Sequence, residues 1–260
     1  MTFWLWFFYL ALLLFIWRYA LWFPREVVGV TRAKPLLIGH RGVRGDREEN
    51  TFEAFEFAFK EGLDGIECDV QKSEEGVLVL YHDFEMQEKL IANLTIEQMR
   101  ELGEPFGFVE DLLELSKHYS GTLLNLEIKS RAVRTDGVEA ATLQLVKKHN
   151  LLDRVIFSSF NPVSVLRIRL LCPEARVALL FSPDMPDLLR SGWLAGWLHV
   201  DALHPYESQV DDVFLRKAAY LGINVNTWTV NDPMRISSLY KQNIGAIIGD
   251  NPAVLKQAIR

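Results

Sequence analysis

The chain has 260 residues, 49% of them hydrophobic and 24% charged, with 28 basic and 34 acidic side chains. A hydrophobic fraction of that size excludes a disordered chain, and the acidic balance excludes a nucleic-acid binder, which needs a basic face against phosphate. Two cysteines, Cys68 and Cys172, exclude a disulfide-dense secreted scaffold.

The first element is an apolar run over residues 3–23, FWLWFFYLALLLFIWRYALWF, broken only by Arg18. It holds eleven of the 30 aromatic residues and four of the seven tryptophans. A bilayer core of ~30 Å takes ~20 apolar residues as a helix, so residues 1–23 are predicted to form a single transmembrane anchor. A cleaved leader would start with basic residues and end in a small-residue cleavage site, and neither is clear here. Trp4 and Trp6 at one end, and Trp17, Tyr19 and Trp22 at the other, suit the two interfacial belts. Arg18, Arg25, Arg32 and Lys34 all follow or close the run, so the positive-inside rule predicts a single-pass cell-membrane protein with its globular part in the cytoplasm. Residues 24–34 read as a juxtamembrane linker whose basic groups can touch anionic lipid. Beyond residue 34 the balance is 24 basic against 33 acidic residues, a net charge of −9.

From residue 35 to 260 short β-branched runs alternate with helical patterns. Strands are predicted at 36–40, 65–70, 77–82, 123–128, 155–158, 176–181, 200–204, 223–230 and 246–248. Helices are predicted at 51–61, 95–102, 109–119, 137–149, 162–171, 187–197, 211–220 and 233–242. Thr95 with Gln98 fits a capping box, and Asp232 before Pro233 fits an N-cap with proline in the first turn. This alternation predicts an α/β fold, a TIM (β/α)₈ barrel in one catalytic domain. Nine runs exceed eight slots, so one run is an irregular or antiparallel addition. The link from Val70 to Val77 is also too short for a crossover helix.

Polar residues cluster at the predicted strand ends, where barrel enzymes assemble their sites. Glu67 and Asp69 stand two apart on a strand and so face the same way, while Cys68 points outward. Inward acids need compensation, and with Glu127 from a nearby strand they suit one hard divalent cation, Mg²⁺ or Ca²⁺. His40 and His82 each close an apolar run beside this cluster, and a pair of imidazoles can serve as acid and base on two sides of a phosphorus. Arg41 and Lys129 offer fixed positive charge for phosphate oxygens. His204, before Pro205, is a further candidate for the mouth, whereas His118 and His149 fall near helix C-termini.

Several motifs resemble the glycerophosphodiester phosphodiesterases: GHRG at 39–42, ENT at 49–51, GIECDV at 65–70, YHD at 81–83 and NLEIK at 125–129. SSF at 158–160, NTWTVND at 226–232 and GDNP at 249–252 continue the series in order. The resemblance implies a TIM barrel with a metal on Glu67, Asp69 and Glu127, His40 and His82 as the acid–base pair, and Arg41 and Lys129 on phosphate. It further implies that Glu49 and Asn50 support the site and that Trp228 packs at the mouth. In the mechanism it carries, the glycerol 2-hydroxyl attacks phosphorus and water then opens the cyclic phosphate. The chain departs from the family at Glu48, where a proline is usual, along FEMQEKL at 84–90, and in a short segment before Val109.

Three functions follow as expectations. The first is metal-dependent hydrolysis of a glycerophosphodiester to glycerol 3-phosphate and an alcohol. The second is a lysophospholipase D acting on single-chain lipids of the bilayer that residues 3–23 would enter. The third is a non-catalytic membrane-tethered binding module. The oligomeric state is not legible in the sequence.

Overall fold

The computed structural model describes residues 2–25, 34–45, 47–131, 133–242 and 244–259. Ten strands share one sheet: β1 (Leu36–Gly39), β2 (Gly65–Lys72), β3 (Leu78–Leu80), β4 (Gly107–Phe108) and β5 (Leu123–Ile128). The rest are β6 (Val155–Ser159), β7 (Arg176–Phe181), β8 (Ala202–Pro205), β9 (Asn224–Thr227) and β10 (Ala246–Gly249). β1, β2 and β5 to β10 pair in parallel in chain order, and β10 returns to β1. The result is a TIM-like barrel of eight parallel strands. The helices are α1 (Thr2–Tyr19), α2 (Phe52–Lys60), α3 (Ile96–Leu102), α4 (Val109–Lys117), α5 (Val138–Lys148) and α6 (Pro162–Leu171). Five more follow: α7 (Asp187–Arg190), α8 (Ala195–Leu198), α9 (Asp212–Tyr220), α10 (Pro233–Tyr240) and α11 (Pro252–Gln257).

The surplus strand among the nine predicted, that at 77–82, is the antiparallel one. β2 runs past the barrel rim, and β3 pairs back along it, Leu78 opposite Lys72 and Leu80 opposite Val70. A turn of this length cannot hold a crossover helix but suits a hairpin. β3 continues to β4 and to a lobe with its own core of Val79, Met86, Ile91, Leu94 and Met99. This lobe absorbs the divergent segment at 84–90. The helix predicted at 187–197 is broken into α7 and α8, with Gly192 at φ +69° between them. α11 was not predicted, although Asn251 and Pro252 start it as Asn161 and Pro162 start α6. The predicted capping box at Thr95 and Gln98 forms in both directions, and Asp232 accepts from Arg235 N at 2.7 Å.

Strand alternation sorts the side chains. Ile66, Cys68 and Val70 of β2 enter the layer under the helices. Inside the barrel Leu36, Ile38, Leu123 and Ile156 fill against alanines 178, 202 and 246, a small-against-large packing without room for a channel.

The transmembrane prediction for residues 3–23 is corrected. α1 ends at Tyr19, and its last turn and the following residues dock on protein. The Trp17 ring stacks on His199 at 4.0 Å, and Trp17 and Trp22 donate their indole N–H groups to Trp197 O at 3.1 Å and Val200 O at 3.0 Å. Arg18 lies 5.3 and 5.2 Å from the rings of Trp193 and Trp197. The aromatic residues assigned to an interfacial belt are therefore spent on the barrel, and among the described residues no helix is long and apolar enough to cross a membrane. Most of the predicted linker at 24–34, Arg32 included, lies outside the described residues.

Two buried charged groups tie the helical layer to the strands. Arg169 donates to the carbonyls of His199, Pro173 and Ala175 and to Asp201 Oδ2 at 2.5 Å, so one guanidinium fastens the end of α6 to the entry of β8. Glu139 on α5 accepts from Thr135, from Ser164 at 2.7 Å and from Arg167 at 2.5 Å. Burial alone would raise the pKa of Glu139, but the hydrogen bonds from Thr135, Ser164 and Arg167 outweigh it and hold the carboxyl below its usual range. Arg169→Met should cost about 3–5 kcal/mol in urea unfolding, because it strands the buried Asp201 carboxylate. Glu139→Gln should destabilise the fold at neutral pH. Since the Glu139 pKa is depressed, its contribution is present above the ordinary carboxyl range of about 4.3 and lost as pH falls through the lowered value. The gap between variant and wild type should therefore narrow below about pH 4 in the same measurement.

Candidate active site

The turn after β1 is set by backbone crowding. A Cβ at Gly39 would lie 1.9 Å from Gly42 O, and one at Gly42 would meet Ala54 at 2.9 Å. The chain doubles back with Arg41 and Gly42 at φ +49° and +81°, which glycine tolerates and arginine does so only under constraint. This turn points the Arg41 N–H at Glu67 Oε2, 2.9 Å away.

Glu67, Asp69 and Glu127 are all buried and offer carboxylate oxygens within 4.8 Å of one another. Asp69 lies opposite Glu127 in the β2–β5 register. Lys129 Nζ stands 3.3 Å from Asp69 Oδ1 and 3.1 Å from Glu127 Oε1, and Arg41 Nε is 3.3 Å from Asp69 Oδ2. Asn50, held at φ +57°, donates to Asp69 Oδ2 at 2.9 Å and accepts from Asp69 N at 3.1 Å. Two cations among three carboxylates leave a deficit. Burial, then the neighbouring Asp69 and Glu127, pushes the Glu67 carboxyl well up. Burial also raises Glu127, to about 7, against the pull of Lys129. Asp69 goes the other way, because Lys129, Arg41, His82 and Asn50 overcome its burial.

A divalent cation fits this set: the donors are all oxygen, they converge, and among the described residues Asp69 Oδ1 is met only by Lys129, at 3.3 Å. A second group, Glu110, Glu114 and His149, has similar donors but a different balance. There the imidazole lies 3.0 and 3.2 Å from the two carboxylates and Lys148 adds a third contact, so the protein supplies the positive charge itself.

His40 and His82 reach the cluster by different routes. His40 follows β1 directly; its Nδ1 is 2.7 Å from Asp250 Oδ1 and its Nε2 is 3.9 Å from Glu67 Oε2. His82 follows the antiparallel strand rather than one of the eight parallel ones. It arrives on the antiparallel return of β3, where Tyr81 N bonds Asp69 O at 3.1 Å, and its Nδ1 is 2.7 Å from Asp83 Oδ1. Burial lowers the His82 pKa, partly offset by Asp69. Each imidazole thus has Nδ1 held by a carboxylate, leaving Nε2 for other work. Asp250 was not singled out as a site residue, although it stands in the GDNP run at 249–252, directly after the last strand.

The remaining candidates divide. Glu49 bonds Arg41 at 2.5 Å and also pairs with Arg44, so it braces the basic side of the site. Beside it opens a cavity of about 950 Å³ whose lining includes Arg44, Arg47, Glu48, Glu49, Glu53 and Asp250. Trp228 sits on the opposite flank, edge-on to Phe160 and Tyr206 at 5.4 Å each, with its indole N–H on His204 O at 2.9 Å. His204 is not at the mouth. Its ring is sealed inside the barrel against Asn226 at 2.9 Å, and burial drives its pKa down to about 3.

Fold and site together define a barrel hydrolase with a mouth built for an anionic ester. The family model for glycerophosphoryl diester phosphodiesterases matches residues 40–254, so the chain belongs to that family and is a phosphoric diester hydrolase. A glycerophosphodiester phosphodiesterase of Caldanaerobacter subterraneus is 29% identical over 87% of this chain and 98% of its own length. A phosphodiesterase of Oleispira antarctica, solved with the product sn-glycerol-3-phosphate, superposes with a TM-score of 0.75 at 25% identity, covering 88% of this chain and 98% of its own. A glycerophosphoryl diester phosphodiesterase structure from Silicibacter pomeroyi gives 0.76 at 24% identity, covering 87% and 94%.

Mg²⁺ or Ca²⁺ should raise the thermal unfolding midpoint of the wild type by mass action, and Asp69→Asn should abolish the rise. Differential scanning fluorimetry across a metal titration reads both.

Proposed function

We propose that this enzyme hydrolyses water-soluble glycerophosphodiesters to glycerol 3-phosphate and an alcohol. The observation that carries this reading is the matched wiring of His40 and His82, each held through Nδ1 by a carboxylate beside three buried acids. His82, kept neutral by burial, suits the base that takes the proton of the attacking hydroxyl. His40, flanked by Asp250 and Glu67, suits the acid that returns a proton to the leaving alcohol oxygen. Arg41 and Lys129 hold the non-bridging oxygens and oppose the charge that builds on them. Glu67, Asp69 and Glu127 would bind the divalent cation, which supplies Lewis-acid stabilisation of that charge. Asn50 fixes the Asp69 carboxylate, Glu49 steadies Arg41, and Trp228 gives one wall of the mouth.

A soluble substrate is favoured over a lysophospholipid by the cavity next to His40 and Asp250, where six of the nine lining residues are charged. An acyl chain there would strip water from charged side chains without replacing it.

His40→Ala and His82→Ala should each lower turnover of glycerophosphocholine by about 10²–10⁴-fold, as should chelation of the cation. Asp250→Asn should lower kcat by a comparable factor with little change in KM, since it disturbs the imidazole and not the substrate contacts. A coupled assay for glycerol 3-phosphate measures all four. Unchanged activity in His40→Ala would remove this assignment.

A further inference from the structure

The end of the barrel opposite the mouth gathers strand N-termini and helix C-termini, and α1 is fixed there. Besides Trp17 and Trp22, Arg25 N bonds Asp201 Oδ1 at 2.9 Å, so the attachment runs along His199, Val200 and Asp201 at the entry of β8. The catalytic groups follow the other ends of the strands. From residue 4 to 15 every residue of α1 is exposed and apolar. At 1.5 Å per residue this stretch is about 18 Å long, enough for one leaflet of a ~30 Å hydrocarbon core and not for both. α1 also lies outside the matched family region, which begins at residue 40.

The apolar surface continues beyond α1. At its base a cavity of about 620 Å³ opens between α8 and α9, walled by Trp22, Trp193, Leu203, Val213, Phe214 and Leu221. Arg18, Arg216 and Lys217 line it too, and no carboxylate does. Among the described residues Arg216 and Lys217 form no ion pair, so their charges are free to meet an anion. Leu170 and Leu171 at the end of α6, and Tyr220 at the end of α9, extend the exposed apolar rim on the same end.

A contiguous apolar surface of this extent marks a contact. A protein partner would cover one stripe of a helix, whereas α1 is apolar on every side, as suits lipid. Where the apolar stretch stops, the exposed rings of Trp193 and Tyr220 and the cations Arg18, Arg25, Arg216 and Lys217 begin. Aromatic rings and basic groups at one level match the headgroup zone of an anionic leaflet.

We propose that this surface binds an anionic phospholipid bilayer: α1 sinks into the near leaflet, and the cavity at its base seats an acyl chain with the phosphate on Arg216 and Lys217. The mouth then faces water, a barrel's length from the lipid. Substrate arrives from solution, and a lysophospholipid held in the same bilayer presents its phosphodiester to the wrong end. This last consequence rests on the hydrolase assignment above; the binding itself does not.

The test uses the full chain and vesicles of phosphatidylcholine, alone or mixed with phosphatidylglycerol. Sedimentation should show tighter binding to the mixed vesicles, and R216Q/K217Q should weaken that binding by about tenfold or more. Turnover of glycerophosphocholine without vesicles should be the same in both proteins, which confirms that the variant is folded. Equal binding to both vesicle types, or no effect of R216Q/K217Q, overturns the cavity as a headgroup site. Failure to bind either vesicle, with self-association in light scattering, would assign α1 to a second copy and overturn the proposal. Vesicle-bound enzyme should hydrolyse added glycerophosphocholine and leave embedded lysophosphatidylcholine intact. Turnover of the embedded lipid overturns the orientation. Loss of both activities would count against the hydrolase assignment and leave the binding result standing.

Discussion

Three carboxylates share one buried pocket with two cations, and much of the upper barrel answers to that imbalance. Glu67, Asp69 and Glu127 cannot all be ionised there without a further positive charge. The glycine-dependent turn after β1 exists to aim a backbone N–H at Glu67, and Asn50 accepts a left-handed backbone to hold Asp69 from two sides. Both are local costs carried at the site and repaid by the packed layers below. The same deficit that would destabilise an ordinary core leaves the pocket chemically suited to a cation.

The barrel separates its charges by end. Acids collect at the strand C-termini, where several loops converge, and basic residues collect in the last turns of the helices, where the helix dipole favours them. The domain is acidic in sum yet has one end suited to a cation and another suited to anions. Net charge alone conceals this division.

Much of the barrel was legible because buried parallel strands leave short β-branched runs between helical periods. The strands at 123–128 and 176–181 coincide with β5 and β7 to the residue. That one of the nine runs had to be irregular or antiparallel was legible from the short Val70–Val77 link, but which run was not, since periodicity carries no direction. α11 is six residues long, too short for a helical period to show, and only its Asn-Pro start marked it. Glu67, Asp69 and Glu127 were visible as inward acids. Asp250 was not, because its partner His40 is 210 positions away and only closure of β10 on β1 brings them together. The N-terminal run misled for a related reason: composition reports that Trp17, Arg18 and Trp22 are amphipathic, but not that a protein surface at 193–200 is waiting for them.

The route by which His82 arrives separates it from the barrel proper. It is carried on a hairpin arm that leaves β2 above the rim and on a lobe with its own small core, while His40 and the three acids stand on or directly beside the closed sheet. The arm and lobe, residues 73–106, therefore form a cassette that joins the barrel at its rim through β2 and β3. Such a cassette can change length, composition and the shape it gives the mouth while the strand order stays as it is. The constraint on its divergence is narrow: β3 must still return antiparallel far enough to set one imidazole beside Asp69. In this architecture His40 belongs to the closed barrel, and His82 to the arm and lobe at its rim.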